Sequence, residues 1–156
     1  MIAVIQRVAK AQVSVDGNIA GECGAGICVL LGVSKEDTEK DAEALCSKIC
    51  NLRIFSDEND KMNYSIKNID GEMLVVSNFT LLAAYRKGNR PDYMMAAAPN
   101  EANRLYEYFG ELCKKEVKHV GFGVFGADMQ LDLTNDGPVT IVMDSKVLMS
   151  PKKSAM

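Results

Sequence analysis

The chain has no tryptophan, a single histidine and only four prolines among 156 residues. Each scarcity removes a class of function. With His119 alone, a hydrolase of the Ser-His-Asp type must recruit that one imidazole or do without it. One histidine and five cysteines without metal-type spacing give no zinc signature, so neither a metal nor a cofactor is expected. A basic excess is missing as well, since 18 Lys and Arg stand against 21 Asp and Glu, for a net charge of −3. A surface that wraps nucleic acid needs the opposite balance. A local contact with a nucleic-acid end does not. No apolar run approaches the ~20 residues of a membrane helix, and no repeat or low-complexity segment is present. The cysteines (Cys23, Cys28, Cys46, Cys50, Cys113) are odd in number and scattered, as free thiols in a reducing cytoplasm would be.

What is present reads as one domain over residues 1–149, with a flexible tail at 150–156. The alternating start, residues 2–8, is a strand and not a signal peptide. Gln12 to Val15 and Asn18 to Glu22 flank Asp16-Gly17, a favoured hairpin turn. Gly26 to Val33 is a buried strand by its continuous apolar run. A helix opening at Ser34 has Glu36 and Asp37 in its first turn and Ala42, Leu45, Cys46 and Ile49 inward. Leu52 to Phe55 reads as a short strand and Asp57 to Asn63 as a loop. A strand enters Ser77-Asn78-Phe79-Thr80, residues 83–98 lack periodicity, and a long amphipathic helix starts at Pro99. Two strands, Met129 to Leu133 and Val139 to Met143, close the chain, and the segment from Lys146 onward is expected to fray. The result is an α+β fold of mostly antiparallel or mixed sheets forming a barrel-like core with two principal helices.

Several tempting motifs lack their context. Gly121-Phe122-Gly123-Val124-Phe125-Gly126 matches G-x-G-x-x-G, but a strand, not a helix, follows it. His119 lies among lysines, far in sequence from any candidate nucleophile, and is taken as a surface residue. Cys46 and Cys50 are one helical turn apart and read as core thiols.

Two segments resist a bland reading. Asn135-Asp136-Gly137-Pro138-Val139-Thr140 places a Gly-Pro step where a plain turn would suffice. Glycine has no side chain and proline no N–H, so the step presents bare carbonyls that suit either a turn or a grip on a small polar group. In Ser77 to Thr80, hydroxyls and an amide end a buried strand and must be satisfied or used. They can simply cap the strand, Thr80 can be a nucleophile, though no base is evident for it, or the amides around Phe79 and Thr80 can form an oxyanion hole.

With these segments, Gln6-Arg7-Val8, Leu30-Leu31-Gly32-Val33, Asn51-Leu52-Arg53-Ile54-Phe55, Lys61-Met62-Asn63, Arg86-Lys87-Gly88-Asn89-Arg90-Pro91 and Phe125-Gly126-Ala127-Asp128-Met129 occur in order. Their order and spacing closely resemble the D-aminoacyl-tRNA deacylases of the standard bacterial and eukaryotic type, over nearly the whole chain. One departure is Asn78, where the family usually has Gln in Ser-Gln-Phe-Thr-Leu. Ser77, Phe79 and Val139 resemble the chiral-proofreading branch and not the animal branch that edits a different mischarged tRNA.

The resemblance implies an ester hydrolase that frees D-amino acids and glycine from tRNA. It implies a homodimer with the active site at the subunit interface and a cis Gly137-Pro138 bond. The loop of one subunit would reach the partner's pocket, where the Gly137 and Pro138 carbonyls hold the substrate α-amino group and an L-side chain collides. Arg7 would brace that loop. Backbone amides of Phe79 and Thr80 would stabilise the oxyanion, with help from the ribose 2′-OH, and Ser77 and Asn78 would border the substrate. Phe125 and Met129 would line the terminal adenosine pocket or simply pack in the core. Arg86, Lys87 and Arg90 could lie near the tRNA acceptor end. Two other readings stay open: a non-catalytic binding module, favoured only by Asn78, and a Thr or Cys hydrolase of small esters.

Overall fold

A computed structural model describes residues 1–152 of the chain. The backbone follows the order β1 (Ile2–Val15), β2 (Asn18–Cys23), β3 (Gly26–Gly32), α1 (Glu39–Asn51), β4 (Phe55–Ser56), β5 (Met62–Tyr64), β6 (Glu72–Ser77), a 3-10 turn (Phe79–Leu82), α2 (Pro99–Glu116), β7 (His119–Phe122), β8 (Gln130–Asp144) and α3 (Ser145–Met149). Six strands form one sheet in the order β2-β1-β3-β6-β7, with β8 along the other edge of β1. The pairings of β1 are antiparallel, while β3-β6 and β6-β7 are parallel. Strands β4 and β5 form a separate hairpin.

The sheet curls until β2 meets β7, which gives the barrel-like core expected from the sequence. Glycine makes that meeting possible. A Cβ on Gly21 would sit 2.2 Å from the Phe122 carbonyl oxygen, and one on Gly121 would sit 2.7 Å from that of Glu22. Gly121, the first glycine of the G-x-G-x-x-G match, therefore serves strand crossing. His119 opens β7 and its Nε2 lies 2.8 Å from the Glu22 carbonyl oxygen, so it is tied to the same crossing.

Alternation along β3 and β6 builds two cores. Ile27, Val29, Leu31, Met73 and Val75 face the layer containing α1 and α2. Cys28, Leu74 and Val76 face a second cluster with Val8, Ala11 and Val13. Burial on both faces explains why these strands read as unbroken apolar runs.

The structure corrects four expectations. The first helix starts at Glu39, with Thr38 as its N-cap, and not at Ser34. Asp37 accepts from the Ser34 amide at 2.7 Å and from the N-terminal ammonium at 2.7 Å, which closes a turn before the helix. The strand expected at Leu52 to Phe55 is only Phe55–Ser56, and its partner β5 takes Met62 and Asn63 from the expected loop. Lys146 to Met149 do not fray but continue α3. Ser145 is fully buried, donates to Asp41 at 2.6 Å and accepts from the N-terminal ammonium at 2.8 Å, so the chain is anchored there. Of the tail expected at 150–156, residues 153–156 lie outside the described residues.

The fourth correction concerns the last strands, which are one strand, β8, with the Gly-Pro step inside it. Along β1, Gln6 pairs with Thr140 and Val8 with Asn135. Two steps on β1 thus face five on β8, so three residues are extra and the Asp136–Val139 segment bulges from the ladder.

Candidate active site

Strand β6 delivers Ser77 and Asn78 to the mouth of a cavity of about 730 Å³, and the 3-10 turn follows at once. The wall contains Ser77, Asn78, Phe79, Thr80, Phe125 and Met129, six of the nine residues singled out in the sequence. Its lining is mainly apolar, and Asp128 is its one carboxylate among the described residues.

The polar atoms at the mouth are arranged by the backbone. The Asn78 amide donates to the Leu31 carbonyl at 2.8 Å, which fixes the end of β6 on β3. The Leu81 amide then bonds the Asn78 carbonyl at 3.3 Å, and the Ala83 amide that of Thr80 at 3.1 Å. The first amides of such a turn have no acceptor within it. Among the described residues, those of Phe79 and Thr80 have no hydrogen-bond partner. Two N–H groups at the wall of a mostly apolar cavity can stabilise a developing oxyanion.

The Thr80 hydroxyl donates to Asn78 Oδ1 at 2.5 Å. It therefore faces an amide, not a base, and His119 is not in the wall. This arrangement gives no support to a threonine nucleophile. It also gives the shortened Asn78 a local role.

Phe125 and Met129 pack in the core, as one of their sequence readings had it, and also face the cavity. Phe125 lies 6.1 Å from the Tyr106 ring, and the Tyr106 hydroxyl donates to the Val75 carbonyl at 2.9 Å. Burial pushes the Tyr106 phenol up to about 12, so it remains a donor.

The other three residues lie together elsewhere on the chain. Gly137 and Pro138 are exposed, their peptide bond is cis, and neither lines the cavity. Arg7, on β1 opposite the bulge, donates from Nε to the Asp136 carbonyl at 2.9 Å and from Nη1 to the Ile54 carbonyl at 2.7 Å.

Sequence reasoning missed Tyr93, Ala96 and Ala97, which complete the wall from the aperiodic segment 83–98. Tyr93 meets Phe79 edge to face at 5.1 Å, and Phe79, Met94 and Met95 leave an exposed apolar rim. An apolar Tyr-Met-Met run inside a loop was the available signal. Arg86, Lys87 and Arg90 are exposed on the same segment.

Comparison with known proteins places this arrangement among relatives. Residues 4–144 match the family model described as D-Tyr-tRNA(Tyr) deacylase. A D-aminoacyl-tRNA deacylase of Caldicellulosiruptor saccharolyticus is 57% identical over 146 residues, covering 94% of this chain and 98% of the relative. One from Dehalococcoides mccartyi is 55% identical over 152 residues, covering 97% and 99%. Among solved structures, a c-Myc DNA unwinding element binding protein superposes with a TM-score of 0.88 at 43% identity, covering 97% of this chain and 100% of its own. A structure described as that of a probable eukaryotic D-amino acid tRNA deacylase shares the fold at a TM-score of 0.79 and 15% identity, covering 91% and 97%.

Proposed function

The chain belongs to the D-Tyr-tRNA(Tyr) deacylase family and is a hydrolase of the aminoacyl-tRNA ester bond, and on that premise we propose that it edits by chirality, removing D-amino acids and glycine through the Gly137-Pro138 loop. One observation carries this reading: the cavity and the braced loop belong to the same chain but not to the same site. An exposed bulge with two bare carbonyls has no ligand in its own subunit. In a two-fold homodimer each bulge serves the other subunit's cavity, because a symmetric interface pairs the same two patches twice.

In that assembly the Gly137 and Pro138 carbonyls accept from the substrate ammonium. This fixes the α-carbon so that an L-side chain meets the loop, while a D-side chain points away and glycine has none to reject. Specificity comes from collision with the wrong hand. Ser77 and Asn78 border the bound aminoacyl group, and Phe125 and Met129 hold the terminal adenosine by stacking and apolar contact. The exposed Arg86, Lys87 and Arg90 would supply local positive charge to the acceptor end. Water, oriented by the ribose 2′-OH, adds to the ester carbon, and the free amides of Phe79 and Thr80 take the oxyanion. The C–O bond to the ribose then breaks, the ribose oxygen takes a proton, and the amino acid leaves as a carboxylate. Five buried free thiols suit a reducing compartment such as the cytoplasm, and no helix among the described residues is long and apolar enough to cross a membrane.

The test compares release of D-tyrosine, glycine and L-tyrosine from their tRNAs by the purified protein. Cleavage of the first two and sparing of the third is expected, whereas equal cleavage of both hands defeats the filter. Loss of most activity on a terminal 2′-deoxyadenosine substrate is expected from the ribose-assisted step, and full activity there overturns it. Mixing an Arg7→Ala variant with a cavity-blocked Ala97→Trp variant tests the shared site. About a quarter of wild-type sites should return, because half of randomly mixed dimers hold one intact site of two. No recovery, with mixed dimers shown to form, refutes a loop acting across the interface.

A further inference from the structure

Away from the cavity, one group of three metal-type donors converges among the described residues: Cys46 and Cys50 of α1 with Cys113 of α2. All three are buried, their Sγ atoms lie within 4.8 Å of one another, and those of Cys46 and Cys113 are 3.6 Å apart. Cys46 and Cys50 share a helix face by their spacing of one turn. Cys113 joins them from another helix, 67 residues beyond Cys46.

We propose that Cys46, Cys50 and Cys113 form a three-thiolate site for one thiophilic d10 cation. A thiolate bonds such an ion at about 2.3 Å, so three sulfurs arranged around it in a plane stand about 4.0 Å apart. One pair stands 3.6 Å apart and no pair exceeds 4.8 Å, so a cation enters with sulfur shifts of no more than about 1 Å. A buried cysteine by itself is only a small apolar residue. Three sulfurs aimed at one centre form a soft donor set, which selects copper(I) or zinc(II) over hard cations.

The surroundings fit a charged guest. Binding sends up to three thiol protons to solvent, leaving a net −1 around a divalent ion or −2 around a monovalent one. Lys67 and Glu116, ion-paired at 3.2 Å, both act electrostatically on Cys46. The Lys67 ammonium offsets part of the residual negative charge. The pair is 36% and 43% exposed, so it carries charge between the buried cluster and the surface. An ion held by both helices would tie α1 to α2. The proposal is independent of the deacylase site, whose cavity contains none of these cysteines.

The probe is cadmium, titrated into reduced, metal-free protein. The expected result is one equivalent per chain, a thiolate-to-metal absorption band and a Tm raised by several degrees. Cys46→Ala/Cys113→Ala should lose all three, while Cys23→Ala/Cys28→Ala keeps them. Should the first variant fail to fold, alkylation of the wild type read by mass spectrometry decides. Metal must shield Cys46, Cys50 and Cys113, and shielding of Cys23 and Cys28 instead overturns the assignment. No uptake at micromolar cadmium also overturns it. Displacement of cadmium by copper(I) or by zinc(II) identifies the natural cation, and displacement by neither refutes a biological site.

Discussion

Replacing Arg7 with alanine separates the loop's position from the rest of the fold. The guanidinium makes two charge-assisted bonds, to the carbonyls of Asp136 and Ile54. Bonds to a charged group are worth about 1.5–3 kcal/mol each. Ile54 is 5% exposed, so its carbonyl loses a donor with little water to replace it. Asp136 is exposed, and its carbonyl regains water, which puts that bond at the low end. A total loss of about 3 kcal/mol follows, or roughly 6–12 °C in Tm for a domain of this size. The Asp136 bond alone, at about 1.5 kcal/mol, lowers the population of the braced loop roughly ten-fold. Deacylation of D-tyrosyl-tRNA should therefore fall at least about ten-fold in kcat/KM. Arg7→Lys should recover part of the stability, since one ammonium cannot span both carbonyls in a fork. Asp136→Asn is the control, because its carboxylate stands 3.7 Å from Arg7 and is 62% exposed, so a change under about 0.5 kcal/mol is expected. Thermal melts and single-turnover deacylation read the two effects separately. A destabilised Arg7→Ala that retains activity within two-fold would refute the loop's part in the reaction.

Thr80→Ala should keep activity within roughly ten-fold, because the hydroxyl is committed to Asn78 and has no base; a collapse of four orders of magnitude in single-turnover rate would reinstate a covalent mechanism. Gly21→Ala forces a Cβ against the Phe122 carbonyl at 2.2 Å and should cost about 3 kcal/mol in urea unfolding. Gly88→Ala meets nothing within 4 Å and, at a φ of +67, should cost only about 1 kcal/mol; equal losses would dismiss the strand crossing as the reason for Gly21. At Asp41, burial opposes ionisation, but the Ser145 hydroxyl, the Thr38 amide and the N-terminal ammonium outweigh it and lower the pKa from 3.8. A carboxyl lowered on folding contributes stability that is present above its unfolded value and is lost as pH falls through the folded one. Stability should therefore drop as the pH goes below about 4, and Asp41→Asn should flatten that slope; an unchanged slope would mean that other carboxylates govern acid unfolding.

The parts legible in the sequence were those whose cause is local. Asp16-Gly17 made its hairpin turn with positive φ at both residues, and of the stripe that spacing puts inward on α2 (Ala102, Leu105, Tyr106, Phe109, Leu112 and Cys113) all are buried except Leu112, which is half-buried. The first helix was misplaced because Ser34 to Asp37 has cap-forming residues whose side chains serve a turn and the chain terminus instead. The Gly-Pro step was read as a turn between two strands because a bulge is defined by the register against β1, and register is a long-range property. Ser77 to Thr80 stood out since polar groups ended an apolar strand. Tyr93, Ala96 and Ala97 did not, because a wall built from irregular backbone leaves no period to detect. Cys113 joins Cys46 and Cys50 only through the packing of α1 on α2, which neither helix's own pattern specifies.

A site that works through main-chain N–H groups moves the constraint from side-chain identity to backbone position. Thr80, the one hydroxyl on the 3-10 turn, is spent on Asn78, so its chemistry adds little. What must be held is the path from Leu31 to Leu82. Gly32 ends β3 beneath that turn, and a Cβ there would stand 2.6 Å from Leu82 Cδ2 and 3.1 Å from the Asn78 carbonyl oxygen. The Asn78 amide bond to the Leu31 carbonyl fixes the turn from the other side. The same logic gives Asn78 a use of its own: its side chain bonds within the turn, so its length matters to Thr80 before it matters to substrate. Arg7 gives the loop a comparable hold through two carbonyls, again by bonding backbone and not side chains. Both halves of the proposed site are thus positions of peptide groups, and they would meet only in the homodimer proposed above.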